Sequence, residues 1–283
     1  MYNFIKNNSL ARFFNLVFYL LLISALAACS GGSSSPKNES ADGLFKNGTA
    51  NLNGGSVMLN DLRALSYGNR IIIFSLSGNL LFDGQITNIT VDDYTATFDV
   101  YDAGAIAQSG VSVTGKVTTA SQITGTLNGT GVASGTFTLV FDSTYNTGAS
   151  NSRIIPPINS DWGTNLLTTF SLASDTNFQD NLGMIDTGGA LSVNGPIAND
   201  AATTGCSLEG PMAIPDSNLD LYTVENDFPS SLSPNSTICP FVDPAVKFTG
   251  FAAVLSESAP DNDLLYAVTN GDYAIFGKLS ITP

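Results

Sequence analysis

The sequence contains no histidine among its 283 residues. Neither a serine–histidine–aspartate triad nor a cysteine–histidine pair can therefore be assembled from this chain. Zinc sites are built largely from histidine and cysteine, and the chain has only three cysteines. The lack of histidine thus argues against histidine-dependent hydrolases and against a metal site of the zinc type, and no cofactor is predicted.

Positive charge is also scarce. The chain has 10 lysine and arginine residues against 24 aspartate and glutamate residues. Lys6 and Arg12 lie in an N-terminal segment that we predict to be removed, which leaves 8 basic and 24 acidic residues and a formal charge of −16. A surface this acidic repels phosphate backbones, so we expect no nucleic-acid partner.

The N-terminus has the layout of an export signal. Lys6 and Arg12 are followed by an apolar run from Phe13 to Ala28, somewhat shorter than the roughly 20 residues of a membrane-spanning helix. The run ends in Leu26-Ala27-Ala28-Cys29. These four residues resemble the lipobox of bacterial lipoproteins, which ends in small residues and a cysteine.

The lipobox resemblance implies how the chain meets a membrane. It implies cleavage before Cys29, diacylglycerol on the cysteine sulfur and a fatty acid such as palmitate on its amino group. Ser30, where an aspartate would imply retention, points to the outer membrane by the same resemblance. The expected partner is therefore the lipid bilayer, with residues 1–28 as signal peptide and residues 29–42 as a lipidated, flexible tether.

Two cysteines remain once Cys29 carries lipid. An even pair in an exported protein favours a disulfide between Cys206 and Cys239. Two free thiols or a metal pair are the alternatives, and the second lacks histidine partners. Between them, the Phe228–Cys239 part is expected to form an irregular surface loop, and loops on rigid scaffolds often carry binding.

The body of the chain predicts an all-β fold. Period-two alternation of apolar and polar residues, with turn residues every 8–12 positions, is typical of an antiparallel sandwich or barrel. The prolines of residues 146–160 do not suit a central strand, so this segment is predicted to connect two such units, residues 43–145 and 161–283. In Val57–Leu65, Met58, Leu62 and Leu65 also fit helical spacing.

A few short motifs invite an enzymatic or metal-binding interpretation. Asp186-Thr187-Gly188 resembles the catalytic loop of aspartic proteases, but no second copy occurs and a hairpin turn accounts for it. Acidic turns at Asp92-Asp93, Asp261–Asp263 and Asp272 do not have the spacing of a calcium loop. The glycines of Gly125–Gly135 precede a strand rather than a helix, which favours hairpins over a phosphate loop.

The sequence therefore predicts a cell-envelope lipoprotein that acts as a non-enzymatic binding or structural module, with an envelope or host protein or a small ligand as partner. One alternative is a small-ligand carrier that uses a barrel interior, which requires a cavity. The other is a carboxylate-dependent hydrolase, which requires two acidic side chains at roughly 5–9 Å in a cleft.

Overall fold

The computed structural model describes residues 39–143, 161–167, 183–185, 190–196, 205–213, 215–216, 219, 221–226, 247–255 and 263–281. The side chains of residues 161–212 and of several strand ends lie outside this description. No helix in the described ranges has the length and apolar character needed to cross a bilayer. Residues from Asn38 onward form one compact unit.

The first half of this unit is a closed, antiparallel barrel of eight strands in which each strand pairs with the next. The barrel closes where the first strand pairs with the last, from Phe45 opposite Phe141 to Leu52 opposite Gly135. The strands are β1 Gly43–Leu52, β2 Val57–Tyr67, β3 Arg70–Ser75, β4 Leu80–Thr90, β5 Asp93–Asp102, β6 Ala105–Thr118, β7 Gln122–Asn128 and β8 Ser134–Phe141.

The second half repeats the same topology. Its eight strands follow one another around a second closed barrel, and the first strand pairs with both the second and the last. The strands are β9 Asp161–Leu167, β10 Gly183–Ile185, β11 Ala190–Pro196, β12 Gly205–Ala213, β13 Tyr222–Asn226, β14 Phe248–Leu255, β15 Asp263–Thr269 and β16 Ala274–Ile281. The predicted all-β fold of two antiparallel barrel-like units is confirmed.

The interior of the first barrel is filled by side chains that alternate with outward-facing ones along each strand. Phe98 and Phe137 stack there with ring centroids 6.2 Å apart. Gly84 lies against the Phe98 ring, where a Cβ atom would come within 1.8 Å of a ring carbon. The barrel is therefore packed tightly enough that the size of each inward residue matters.

The longest apolar runs of the sequence are explained by a second buried surface. In β3, Ile71 and Ile73 point into the first barrel, whereas Ile72 and Phe74 point outward and are equally buried. They pack against outward-facing residues of the second barrel, and Phe74 meets Phe276 with ring centroids 5.9 Å apart. The shared cluster comprises Leu44, Leu65, Ile72, Phe74, Leu81, Tyr101, Leu221, Phe251, Ala253, Leu265, Ala267, Ala274 and Phe276.

Backbone contacts reinforce this junction at the β15–β16 hairpin. Ala105 and Tyr273 form an isolated antiparallel bridge between the barrels. The amide of Ile106 donates to the carbonyl of Asp272, and the amide of Ala274 donates to the carbonyl of Gly104, at 3.1 and 2.8 Å. The two barrels are thus joined by apolar packing and by main-chain hydrogen bonds.

The β2 segment settles the one ambiguous assignment. Residues 57–67 form a strand, and Leu62 and Ala64 face the interior of the first barrel while Leu65 faces the second barrel. The helical spacing of Met58, Leu62 and Leu65 arises because both faces of the strand carry apolar residues near its end.

Candidate binding cleft between the barrels

A charged pair lies at the edge of the shared apolar face. Arg70, the first residue of β3, donates from Nε and Nη2 to the two carboxylate oxygens of Asp83 at 2.9 and 2.7 Å. The two side chains are 24 % and 16 % exposed. A two-pronged arginine–carboxylate contact fixes the guanidinium plane as well as its position.

The second barrel supplies further partners to the same pair. Arg70 Nη1 donates to the Thr249 hydroxyl at 2.9 Å, and Nη2 donates to the Thr249 carbonyl and the Thr269 hydroxyl at 2.9 and 3.0 Å. Thr269 in turn donates its hydroxyl hydrogen to Asp83 at 2.5 Å. The guanidinium carbon lies 6.0 Å from the centre of the Phe251 ring, which adds a weak cation–π attraction.

Tyr101 lies beneath this polar network. Its side chain is fully buried in the shared cluster, and burial, aided by the nearby Asp83 charge, raises the pKa of its hydroxyl far above the ordinary value. The ring therefore stays neutral at any physiological pH and serves as packing under the ion pair.

Next to Arg70 a cleft of about 450 Å³ opens between the barrels. The first barrel contributes Tyr67 and Arg70, and the outer face of the second barrel contributes the rest of its wall. The lining residues are Tyr67, Arg70, Ala213, Thr223, Val224, Glu225, Thr249, Gly250 and Phe251. This volume lies in the range of small-molecule sites, which are mostly apolar with a few placed polar groups.

The polar groups of the cleft are already matched within the protein. The Tyr67 hydroxyl donates to the Pro215 carbonyl at 3.1 Å, and Glu225 at the rim pairs with Lys247. Together with the Arg70–Asp83 pair, the charged groups at the cleft sum to zero. The described charged groups of the cleft thus leave it without net charge, and the Phe251 and Tyr67 rings form part of its wall.

A much smaller void lies inside the first barrel. The void among Ala50, Leu52, Leu62, Ile73 and their neighbours has no room for a water molecule. The small-ligand carrier, which the sequence left open, stays a prediction.

Of the acidic groups considered for calcium, Asp92 and Asp272 lie in turns, Asp93 and Asp263 begin β5 and β15, and Asp261 lies outside the described residues. Lys116 lies 2.9 Å from carboxylate oxygens of both Asp92 and Asp93 on an exposed surface. Asp272 belongs to the Asn270–Tyr273 turn, in which Asn270 accepts hydrogen bonds from two backbone amides. Within the described residues, no cluster of three potential metal ligands occurs, and Glu225 is the one carboxylate that lines the cleft.

The remaining candidate residues fall outside the description. Cys29, Cys239 and Asp186–Gly189 lie outside the described residues, and Cys206 is described only as a backbone position in β12. The strands that flank Asp186–Gly189 do pair, with Ile185 opposite Leu191, as the hairpin interpretation predicts. The lipid attachment and the disulfide stay predictions.

Sequence reasoning did not single out Arg70, Asp83 or the two threonines. A usable signal was present in β3, where the uninterrupted run Ile71–Phe74 leaves no polar face. Such a run in an antiparallel sheet indicates burial on both faces, and therefore a second layer with the polar residue at its border. Which partner Arg70 meets depends on residues about 180 positions away.

Comparisons with known proteins do not place the chain in a group. No family model, curated protein or solved structure matches it. The fold and the cleft therefore carry the functional argument by themselves.

Proposed function

We propose that this chain is a lipid-anchored protein of the bacterial cell envelope that binds a ligand or partner without catalysing a reaction. The observation that carries the proposal is the cleft between the barrels, whose wall comes from both barrels and whose Arg70 is held rigidly by Asp83, Thr249 and Thr269. Sites held by rigid elements bind with less loss of conformational entropy.

The anchor rests on the N-terminal motif. Cys29 follows a charged segment and an apolar run at the position where lipid transfer requires a cysteine. Ser30 supports the outer membrane as the destination. The strongly acidic body would be repelled by anionic lipid headgroups, so the acyl chains would supply the attachment.

The segment that contains Cys239 of the predicted disulfide begins and ends next to residues that line the cleft. Asn226 and Phe248 are paired neighbours at the ends of β13 and β14, and they bound the segment that contains Cys239. The adjacent residues Glu225 and Thr249 line the cleft. The Phe228–Cys239 loop expected from sequence to contact a partner is thus connected to the cleft wall.

The anchor is tested by replacing Cys29 with alanine in the full chain and fractionating the cells. We expect the parent protein to take up labelled palmitate and to follow the outer membrane, and the variant to do neither. Membrane attachment and labelling that persist in the variant would refute the anchor.

The cleft is tested by filling it. Thr223→Trp places a bulky ring in the cleft, whereas Thr126→Trp places the same ring on an exposed strand of the first barrel. Binding of a panel of neutral and charged ring compounds is measured by ligand-observed NMR. We expect neutral compounds to bind, at least tenfold more weakly in Thr223→Trp and unchanged in Thr126→Trp. Equal binding by both variants would remove the cleft from the proposal.

A further inference from the structure

Residues 39–42, at the end of the segment predicted to be a tether, are fixed to one end of the first barrel. The amide of Glu39 donates to the Val91 carbonyl at 2.8 Å, and the amide of Ser40 donates to the Thr119 hydroxyl at 2.7 Å. The Glu39 carboxylate accepts from the Thr119 amide. Asp42 accepts from the Gly68 amide at 2.7 Å. This short segment therefore contacts three different turns of the barrel.

Ala41 packs this segment against the core of the first barrel. Its side chain is 2 % exposed and belongs to the core cluster of the first barrel. The hydrogen bonds at Glu39, Ser40 and Asp42 lie on either side of it. The chain thus packs against this end of the barrel before β1 begins, and residues 39–42 are part of the folded body.

The up-and-down topology defines two poles of the first barrel. Alternate connections lie at the same end of such a barrel. The anchor pole carries residues 39–42 and the turns at 68–69, 91–92 and 119–121, and the far pole carries the turns at 53–56, 76–79, 103–104 and 129–133.

Acidic residues are more numerous at the anchor pole than at the far pole. Glu39, Asp42, Asp92 and Asp93 surround the anchor pole, with Lys116 beside the last two. The four turns of the far pole contain no charged residue, being made of glycine, serine, asparagine, threonine, alanine, leucine and valine. The far pole still carries negative charge beside these turns, because the Asp61 carboxylate accepts a hydrogen bond from the Ser77 amide at 2.8 Å and the exposed Asp102 precedes the turn at 103–104.

We infer that the anchor pole faces the bilayer and that the far pole points away from it. This inference rests on the proposed lipid at Cys29. About ten residues separate Cys29 from Glu39, and they span at most about 35 Å when extended and roughly 18 Å as a flexible coil. The far pole lies about 25 Å, the height of the first barrel, beyond residue 39. A coil of roughly 18 Å is too short to bring the far pole to the membrane.

The orientation places the cleft as well. Tyr67 and Arg70 line the cleft and border the Gly68–Asn69 turn, so this part of the cleft lies at the anchor pole, on the inferred membrane side. The acidic residues of the same pole repel anionic headgroups over roughly 10 Å, which holds the protein off the surface and leaves the cleft accessible.

The orientation is tested with the lipidated full chain in vesicles that carry an energy-transfer acceptor in the headgroup region. A fluorescent amino acid is introduced in place of Ser121 at the anchor pole or of Met58, which is 61 % exposed beside the far pole. We expect Ser121 to report the higher transfer efficiency, corresponding to a position on the order of 20 Å closer to the lipid. Equal or reversed efficiencies would overturn the orientation.

A second variant ties the result to residues 39–42. The double variant Thr119→Val, Asp42→Ala loses the side-chain partners of the Ser40 and Gly68 amides. The difference in transfer efficiency between labels at positions 121 and 58 should then shrink. Thr126→Val, on an exposed strand, should leave it unchanged. A difference that persists in the double variant would show that these contacts do not set the orientation. A chain that stays in solution would refute the lipid anchor itself, and the orientation with it.

Discussion

The Thr269 hydroxyl of the second barrel donates its hydrogen to the Asp83 carboxylate of the first barrel. The same carboxylate accepts both hydrogen bonds from Arg70, which reaches back across the junction to Thr249. Three side chains from two barrels, Arg70, Thr249 and Thr269, thus depend on one acidic group, and they lie at the border between the shared apolar face and the cleft.

Replacing Asp83 with alanine should destabilise the junction. Arg70 would remain largely buried without its counter-charge, and breaking a buried pair from one side costs several kcal/mol. Because Arg70 keeps some exposure, we expect a loss of about 2–3 kcal/mol in the free energy of unfolding, measured by urea denaturation. Asp102→Ala, an exposed residue in β5, is the matched control and should change stability by less than about 0.5 kcal/mol.

Replacing Phe74 with alanine should destabilise both barrels. Phe74 is fully buried against Phe276 of the second barrel, and such truncations cost about 3–5 kcal/mol. The single tryptophan, Trp162, lies in β9 of the second barrel, so its fluorescence reports that barrel alone. We expect the unfolding midpoint reported by Trp162 fluorescence to be lower in Phe74→Ala than in the parent protein. A midpoint that stays fixed while circular dichroism shows loss of the first barrel would mean that the barrels unfold independently.

Replacing Tyr94 with phenylalanine should not destabilise the first barrel. Its hydroxyl is buried and, within the described part of the chain, has no hydrogen-bond partner. Removing an unsatisfied polar group is neutral or stabilising by up to about 1 kcal/mol. Thr87→Val, which removes an exposed hydroxyl bonded to Thr95, gives the comparison for a satisfied group.

The same substitution should change the response to alkali. Burial raises the pKa of Tyr94, so the folded state holds its proton at a pH where the unfolded state releases it. Stability is then fully present below the ordinary tyrosine pKa of about 10 and decreases as the pH rises above it. Tyr94→Phe should therefore lose less stability than the parent protein between about pH 9 and pH 11, the range around that reference pKa. Identical pH profiles would contradict the assignment.

We predict that Cys206 and Cys239 form a disulfide in the exported protein. Peptide mapping of exported protein without reduction should yield one linked pair that contains both cysteines. In the chain-entropy model a loop of this size contributes roughly 3–4 kcal/mol, so reduction should lower the Trp162 midpoint. Two unlinked, alkylated thiols in protein isolated from the envelope would refute the pairing.

Much of the strand pattern was predictable from local sequence. The residues of β3 to β8 lie between turn residues and carry apolar side chains in the patterns typical of strands, and Asn270-Gly271 is typical of the hairpin turn that joins β15 and β16. The strand β1 is hard to predict from sequence because its alternation is interrupted. Asn47 has a positive φ of 52°, and the register of β1 shifts on either side of Gly48, so inward residues do not recur at a fixed period.

Barrel closure and the cleft were beyond local sequence. Sandwich and barrel share the same alternation, and the distinction depends on whether β1 pairs with β8, about 90 residues later. The cleft depends on how Tyr67 and Arg70 meet Phe251 across the junction. No period in the sequence encodes such contacts, although the two-sided apolar run of β3 indicates that a second layer must cover it.

The closing pair of each barrel has a consequence for folding. Seven of the eight pairings in the first barrel join neighbouring strands, and only the β1–β8 pairing spans the whole domain. Hairpins form in microseconds, whereas joining distant segments requires a large loop-closure entropy to be overcome. We therefore expect a partly ordered ribbon with two unpaired edges to precede the native state, and the rate at which those edges meet, rather than hairpin formation, to limit how fast the barrel matures.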